Sequence, residues 1–325
     1  MEAVSIMTGT EFLAQSSLRP VALERPLFAV RGLALGNGSS ALEVLVCSHH
    51  SPPAKQTLRT AWKARHAGRA APLLLVVLYQ GRAALCGPTG DDPPAHTDLD
   101  PGQVERICRE ALDQPDRHAA LRALRDSLPS IESALPGVRN EGFLATHELV
   151  AGARSLPAWD DAHHKARSLL VQRGENLLRS LGFTLERCDQ TTSILRLAPA
   201  GRKAAVAVLL RQDESPDLNT DRFSGLSPVS YAMTVAEREN IDYVVVSQGP
   251  KLRLYPVRQG VGVGQRGRTE TFVEVHTGLL RDDDAAFLWL LFSADALTED
   301  GTLTHLLDES HRFAGRLAEN LREII

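Results

Sequence analysis

The sequence has few cysteines and no long apolar run. Its four cysteines, Cys47, Cys86, Cys108 and Cys188, are scattered and form no CxxC pair. Zinc sites usually draw ligands from such pairs, so this spacing argues against structural zinc. Cys47 and Cys86 lie in apolar, strand-like runs typical of buried thiols.

The sequence also lacks segments that would direct the chain into or across a membrane. No apolar stretch approaches the roughly 20 residues that a membrane-spanning helix requires. The first residues, MEAVSIMTGTEF, lack the basic start and apolar centre of a signal peptide. We therefore expect a cytoplasmic protein without a membrane partner.

Composition excludes a uniformly basic protein and leaves most globular classes open. The formal net charge is −4 at pH 7, with 43% hydrophobic and 23% charged residues, which is ordinary for a globular chain. Nucleic-acid binding depends on where charge lies, so a local basic surface remains compatible with this balance. A length of 325 residues predicts two or three domains.

The clearest secondary-structure pattern lies in residues 227–256. Ser227 and Pro228 provide an N-cap and a first helical residue, and the predicted helix ends near Asn240. A short β-branched run, DYVVVS, then predicts a buried strand, and a turn at Gly249 leads into an alternating return strand. A helix followed by a buried strand is typical of α/β domains.

The same order of elements occurs earlier in the chain. Residues 41–49 predict a strand, residues 54–66 a helix, residues 72–79 a buried strand and residues 82–86 a return strand. The later copy begins at Lys203. Because only the pattern repeats and the residues differ, this is a repeat of architecture.

We therefore predict an α/β fold with two α/β units, a helical connector and C-terminal helices. We assign residues 1–100 to the first unit, residues 101–172 to the helical connector, residues 173–278 to the second unit and residues 279–325 to the C-terminal helices. Within them we expect a loop over residues 87–101, a turn over residues 136–142 and separate helices over residues 301–307 and 309–325. The last predicted helix ends in LREII without a capping residue, so we expect a further domain to follow, with a native C-terminus as the alternative.

Catalysis by a metal-dependent nuclease of the restriction-endonuclease fold needs an Asp and, on the next strand, an acidic-x-Lys triplet. The carboxylates hold Mg²⁺, and the lysine activates the attacking water. Glu43 lies on the appropriate strand of the first unit, but Leu45 occupies the lysine position. The second unit reads AAVAVLLRQDE, and its carboxylates, Asp213 and Glu214, come only at the end. The candidate catalytic residues are thus Glu43, Asp213 and Glu214, in an eroded pattern.

Basic residues cluster on the predicted helix over residues 54–66. Several positive charges within four turns could neutralise DNA phosphates, or could form an ordinary solvated face. No aromatic platform for single-stranded bases accompanies them. The candidate DNA-binding residues here are Lys55, Arg59, Lys63, Arg65 and Arg69.

A second basic segment is the glycine-rich loop over residues 259–268. Gly262, Gly264 and Gly267 match GxGxxG, but a strand is predicted to follow, whereas a dinucleotide site needs a helix there. Three interpretations stay open: a nucleotide site, a solvated loop, and a flexible loop whose Arg266 and Arg268 contact a nucleic-acid backbone.

Several runs of the sequence resemble the N-terminal region of large bacterial type IIG-like restriction-modification and phage-defence proteins. The resemblance covers most of residues 55–325, and no single motif is diagnostic. The runs that carry it are LRTAWKARHAGRAAPLLLVVLY, LPGVRNEGFLATHEL, RGENLLRSLGF, FSGLSPVSYAMTVAERENIDYVVVSQGPKLRLYP and LLFSADALTEDGTL.

Proteins of that family fuse a restriction-endonuclease-like region to an adenine-specific DNA methyltransferase. The resemblance implies that the α/β fold consists of two restriction-endonuclease-like α/β units. It also implies an association with DNA and phage defence, and a methyltransferase subunit or domain as a partner. This chain has neither the S-adenosylmethionine loop nor the Asn-Pro-Pro-Tyr motif of that methyltransferase. We therefore expect a DNA-engaging module that is not catalytic by itself. The alternatives are an active Mg²⁺-dependent endonuclease and a protein-interaction scaffold that docks a methyltransferase.

Overall fold

The computed structural model describes residues 12–13, 18–24, 26–197, 202–264 and 267–324. It confirms the α/β class, since helices accompany two mixed sheets. Contacts within the chain divide it into two units, Met1–Pro136 and Gly137–Ile325. Within the described ranges, no helix is both long and apolar enough to cross a membrane.

The first unit contains one five-stranded sheet in the order β1-β2-β3-β4-β5. Strands β2 and β3 are parallel and are connected through α1, while the other neighbours are antiparallel. Its strands and helices are β1 (Ala29–Leu35), β2 (Glu43–Ser48), α1 (Lys55–His66), β3 (Leu73–Tyr79), β4 (Arg82–Cys86), β5 (Ala95–Leu99), α2 (Pro101–Leu112) and α3 (Arg117–Ser127).

Helix α1 packs on one face of this sheet because its apolar residues share one side. Leu58 and Trp62 lie one turn apart and are almost fully buried. They join a core with alternate residues of β2 and β3, including Leu45, Cys47 and Leu75. The indole Nε1 of Trp62 donates to the Leu73 carbonyl oxygen at 2.7 Å, so the helix is also tied to the sheet by a buried hydrogen bond.

The second unit contains a seven-stranded sheet in the order β6-β12-β11-β10-β9-β8-β7. Its strands are β6 (Val138–Glu141), β7 (Phe183–Arg187), β8 (Thr192–Leu197), β9 (Lys203–Leu210), β10 (Tyr243–Gln248), β11 (Lys251–Pro256) and β12 (Phe272–His276). Its helices are α4 (Ala153–Ser155), which continues a π-helical turn over Glu148–Gly152, α5 (Trp159–Arg167), α6 (Gly174–Ser180), α7 (Pro228–Arg238), α8 (Ala286–Phe292) and α9 (Thr302–Ile324).

Strands β9 and β10 are the parallel pair of this sheet, and α7 connects them. The helix starts as its sequence predicts, with the Ser227 hydroxyl accepting from the Ser230 amide and Pro228 at the first helical position. The core between helix and sheet combines Val206 and Val244 with Ala232 of α7, among other buried residues.

The predicted repeat of architecture is confirmed at the level of topology. Strands β1–β5 and β8–β12 lie in the same spatial order in their sheets. Corresponding neighbours also share orientation, since only the second and third strands of each set are parallel, and a helix connects them. The second sheet extends this set with β7 at one edge and β6 at the other.

The structure differs from the predicted elements at three places. The predicted loop over residues 87–101 contains β5, and the predicted turn over residues 136–142 contains β6. Both strands are short and polar. They are defined by hydrogen bonding to a neighbouring strand, β5 to β4 and β6 to β12, and not by an alternation of apolar residues. The two predicted C-terminal helices are one continuous helix, α9.

The residues of the predicted helical connector, 101–172, are shared between the two units. Helices α2 and α3 belong to Met1–Pro136, whereas β6 and α5 belong to Gly137–Ile325. Strand β6 is hydrogen-bonded to β12 as an edge of the second sheet.

Candidate functional site

The predicted catalytic carboxylates lie at non-equivalent ends of corresponding strands. Glu43 is the first residue of β2, whereas Asp213 and Glu214 come after the end of β9, which corresponds to β2 in the repeat. Ligands of open α/β sheets usually bind beyond the carboxyl ends of parallel strands, which is the edge where Glu214 lies. The two units therefore do not present the same carboxylate position.

Glu43 is held in a largely buried ion pair. Strand alternation places it on the face of β2 that α1 covers, in line with Leu45. The Arg65 guanidinium donates to Glu43 Oε2 at 2.7 Å, and Arg69 donates to Oε1 at 3.3 Å. The side chains of Glu43 and Arg65 are 12% and 8% exposed. Both carboxylate oxygens are thus occupied, and Arg65 does not present its charge to solvent.

Glu214 closes the loop that connects β9 to α7. Its two oxygens accept from one nitrogen of Arg222 at 2.6 and 2.5 Å, and Oε2 also accepts from the Arg211 amide at 2.7 Å. The Gln248 side-chain amide, at the end of β10, donates to the carbonyl oxygens of Arg211 and Glu214. Burial alone would raise the pKa of Glu214, but the hydrogen bonds from Arg222 and Arg211 outweigh it and lower that pKa. Its neighbour Asp213 is exposed.

Asp189, which the sequence patterns did not single out, is the most strongly perturbed carboxylate in this part of the second unit. Its Oδ1 accepts from the Thr191 and Thr192 amides at 2.7 and 2.6 Å, and its Oδ2 accepts from the Tyr231 hydroxyl on α7 at 3.0 Å. Partial burial would raise the pKa of Asp189, but these threonines lower it to about 2. The signal in the sequence was an Asp two residues before Thr, the pattern of an Asx turn.

Three of the predicted cationic residues form one line along α1. Lys55, Arg59 and Lys63 are spaced four residues apart and therefore share one side of the helix. Lys55 pairs with Glu132 at 3.4 Å, and Arg59 pairs with Asp92 at 3.0 Å. Lys63 is exposed, and no ion pair to it is found in the described ranges. We call these three residues the α1 stripe.

The glycine-rich loop is fixed against the backbone of its own unit. The amides of Val263 and Gly264 both donate to the Gly142 carbonyl oxygen at 3.0 Å. A Cβ at Gly262, whose φ is +100°, would lie 2.6 Å from that same oxygen, so this position requires glycine. Two amides that a phosphate cradle would need are thus already used, which disfavours the nucleotide interpretation.

The two arginines of this loop were predicted to contact a nucleic-acid backbone together. Arg268 donates to Glu237 and, at 2.8 Å, to the Val257 carbonyl oxygen, so its side chain lies along its own unit. Arg266 lies outside the described residues. The described part of the loop therefore offers one arginine, and that arginine is already paired.

The thiols of Cys47 and Cys86 are buried, as their sequence context predicts, and both are unpaired. Burial raises the pKa of both thiols to about 12, which keeps them protonated at neutral pH.

Among the residues that the structure describes, no cluster of three His, Cys, Asp or Glu side chains is arranged to hold a metal ion. The partners of Glu43 and Glu214 are arginines, which compete with Mg²⁺ for the carboxylates.

Comparison of the chain with protein-family models, with curated proteins and with solved structures gave no match. The resemblance to type IIG-like restriction-modification proteins therefore stays a prediction, as does the association with DNA.

Proposed function

We propose that this chain is a DNA-engaging module of a restriction-modification or phage-defence system, with a nuclease-like fold and no assembled catalytic site. The observation that carries the proposal is the α1 stripe. Lys55, Arg59 and Lys63 place three cations along about 12 Å of helix axis. Such a line of charge suits the phosphate backbone, which supplies most of the affinity in sequence-independent DNA binding.

The ion pairs of the stripe are weak enough to be exchanged for phosphates. The side chains of Lys55 and Glu132 are 50% and 46% exposed, and that of Asp92 is 78% exposed. Arg59 is 27% exposed, and its Nε also donates to the Pro93 carbonyl oxygen at 3.1 Å. Exposed pairs of this kind contribute about 0 to 1 kcal/mol. A phosphate that replaces Glu132 or Asp92 therefore removes little stability and releases condensed counterions.

Burial separates Arg65 from the stripe, whereas Arg69, whose side chain is 45% exposed, differs from the stripe by its contact with Glu43. Arg65 and Arg69 both donate to Glu43, and Arg65 is largely buried. Withdrawing Arg65 would leave a buried carboxylate without its main partner, which is costly. We therefore assign phosphate contacts to the stripe and a structural role to Arg65.

Engagement without cleavage fits the state of the carboxylates. A Mg²⁺ ion at Glu43 would have to displace two arginines, and one at Glu214 would have to displace Arg222. Neither unit has a lysine two residues after its candidate carboxylate, as a nuclease of this kind requires, and Lys203 at the start of β9 comes before Asp213 and Glu214. We therefore propose that the chain binds DNA without cleaving it.

The test is duplex-DNA binding measured by fluorescence anisotropy across a salt series. A Lys55→Gln/Arg59→Gln/Lys63→Gln variant should bind more weakly, and its slope of log K against log salt should fall by about 2.7, or 0.9 for each lost phosphate contact. A control variant changes three exposed arginines of the second unit, Arg167→Gln/Arg187→Gln/Arg258→Gln, and should keep the original slope. Absence of affinity at low salt, or affinity without salt dependence, would refute the proposal.

Incubation of the same duplex with Mg²⁺ separates engagement from cleavage. We expect the DNA to stay intact with the original chain. Cleavage that disappears in Glu43→Ala or Glu214→Ala would instead establish the endonuclease alternative. Co-purification with a methyltransferase but not with DNA would favour the scaffold alternative.

A further inference from the structure

The first unit contains an apolar groove beside α3 that the proposed function does not use. Its volume is about 340 Å³. One wall comes from the segment after β4, including Pro88 and Pro94, and the other from α3, including Leu121 and Leu124. We call this cavity the α3 groove. Its volume lies at the lower end of the range of small-molecule sites, about 300 to 1,000 Å³.

The walls of the groove are held in place by the sheet and by the core. The Pro88 carbonyl oxygen accepts from the Leu73 amide at 3.0 Å, and the Pro94 carbonyl oxygen accepts from the Gly87 amide at 3.1 Å. A Cβ at Gly87 would lie 2.1 Å from the Leu73 carbonyl oxygen, so the segment approaches the sheet as closely as glycine allows. Leu124 is 1% exposed. A groove with fixed walls needs little ordering when a ligand binds.

The charges at the groove favour an anion. Arg125 lines the groove and is exposed, and its guanidinium has no ion pair in the described part of the chain. The nearby carboxylate, Glu132, is already approached by Lys55 at 3.4 Å and by Nδ1 of His96, another lining residue, at 3.2 Å. Arg125 therefore remains available to a ligand.

We infer that the α3 groove binds a small molecule with an apolar body of about a dozen heavy atoms and one anionic group. The apolar body packs between Leu121 and the two prolines, and the anion pairs with Arg125 at the rim. The dominant contribution is burial of apolar surface, and the exposed arginine adds selectivity for charge. This binding concerns the chain without DNA, in which Lys55 stays paired with Glu132.

The experiment uses the full chain and three probes that share one body: phenylbutyrate, phenylbutanol and phenylbutylamine. Isothermal titration calorimetry should give one saturable site, with phenylbutyrate the tightest and phenylbutylamine the weakest. Arg125→Gln should weaken phenylbutyrate about three- to fivefold and leave phenylbutanol unchanged, as expected for one exposed charge. Arg122→Gln, which alters an exposed arginine of the same helix that does not line the groove, is the matched control.

A second variant tests the location of the site. Leu121 is half-buried at the groove, so Leu121→Trp fills the space without altering the core and should abolish binding of all three probes. Circular dichroism checks that this variant is folded. The inference is refuted if phenylbutyrate gives no saturable binding, if phenylbutylamine binds as tightly as phenylbutyrate, or if folded Leu121→Trp binds as before.

Discussion

At the residue scale, the ion pair between Glu43 and Arg65 removes two charged side chains of the first unit from solvent. Both side chains are largely buried where α1 packs on β2, and Arg69 adds a second, more exposed contact to Glu43. Removing one member of such a pair leaves the other charge poorly solvated, whereas replacing both with apolar residues is often neutral. The contribution of this pair to stability therefore depends on the burial of its two side chains as well as on their charges.

We predict that Arg65→Met destabilises the first unit by about 2 kcal/mol, less than for a fully buried pair because Arg69 still reaches Glu43. The double change Glu43→Leu/Arg65→Met should restore most of this loss. Urea unfolding in a Trp159→Phe/Trp289→Phe background, in which Trp62 on the same helix is the one remaining tryptophan, measures both effects by fluorescence. Lys63→Met, at an exposed position of α1, should leave the midpoint nearly unchanged. A double variant as unstable as the single one would contradict this explanation.

The carboxylate of Asp189 predicts a pH dependence of stability. Its pKa is lowered to about 2 in the folded chain, against about 3.9 in an unfolded one. A lowered pKa means that the ionised form stabilises the fold, fully above the unfolded value and progressively less as pH falls through the folded value. The stabilisation by Asp189 should therefore be complete at pH 6 and lost between about pH 4 and pH 2.

The measurement for Asp189 compares the original chain with Asp189→Asn by urea unfolding over that range. We expect a difference of about 1 kcal/mol near pH 6, after allowance for partial exposure, and a smaller difference as pH falls. Asp213→Asn, at an exposed position of the same unit, should show no such trend. A difference that is constant with pH would mean that the carboxylate charge does not contribute.

At the scale of elements, the start of α7 combines sequence signals that agree with the structure. The Ser227 hydroxyl caps the helix, and Pro228 needs no amide donor there. Ser227→Ala should therefore cost about 1 kcal/mol of unfolding free energy, measured by thermal or urea unfolding. Thr234→Ala, at an exposed mid-helix position, is the control and should be neutral or slightly stabilising. Equal losses in both variants would rule out a specific capping effect.

At the scale of the whole molecule, the chain consists of two units that each have their own sheet and their own core. We predict that residues 1–136 and residues 137–325, produced separately, each fold cooperatively. Far-ultraviolet circular dichroism and thermal unfolding of the two fragments test this. A fragment that lacks a cooperative transition would show that its core depends on the other unit.

The sequence determined the elements whose signals are local. The β-branched run of β10, the cap of α7 and the apolar face of α1 predicted their structures correctly, because propensity, capping and periodicity act over a few neighbouring residues. The repeat was visible for the same reason, since each copy has the same succession of such signals. Strands β5 and β6 were missed because they are polar and are defined by pairing with a distant strand.

Only the tertiary structure decided which charges are available. The sequence offered Lys55, Arg59, Lys63, Arg65 and Arg69 as candidate DNA-binding residues, and it offered Glu43, Asp213 and Glu214 as candidate catalytic carboxylates. Folding brings Arg65 to Glu43 across 22 residues of chain and Arg222 to Glu214 across a loop. The partner of Arg65 was set by how α1 lies on β2. Ion pairing depends on distance in space, and for these residues distance in space is set by packing that no local pattern encodes.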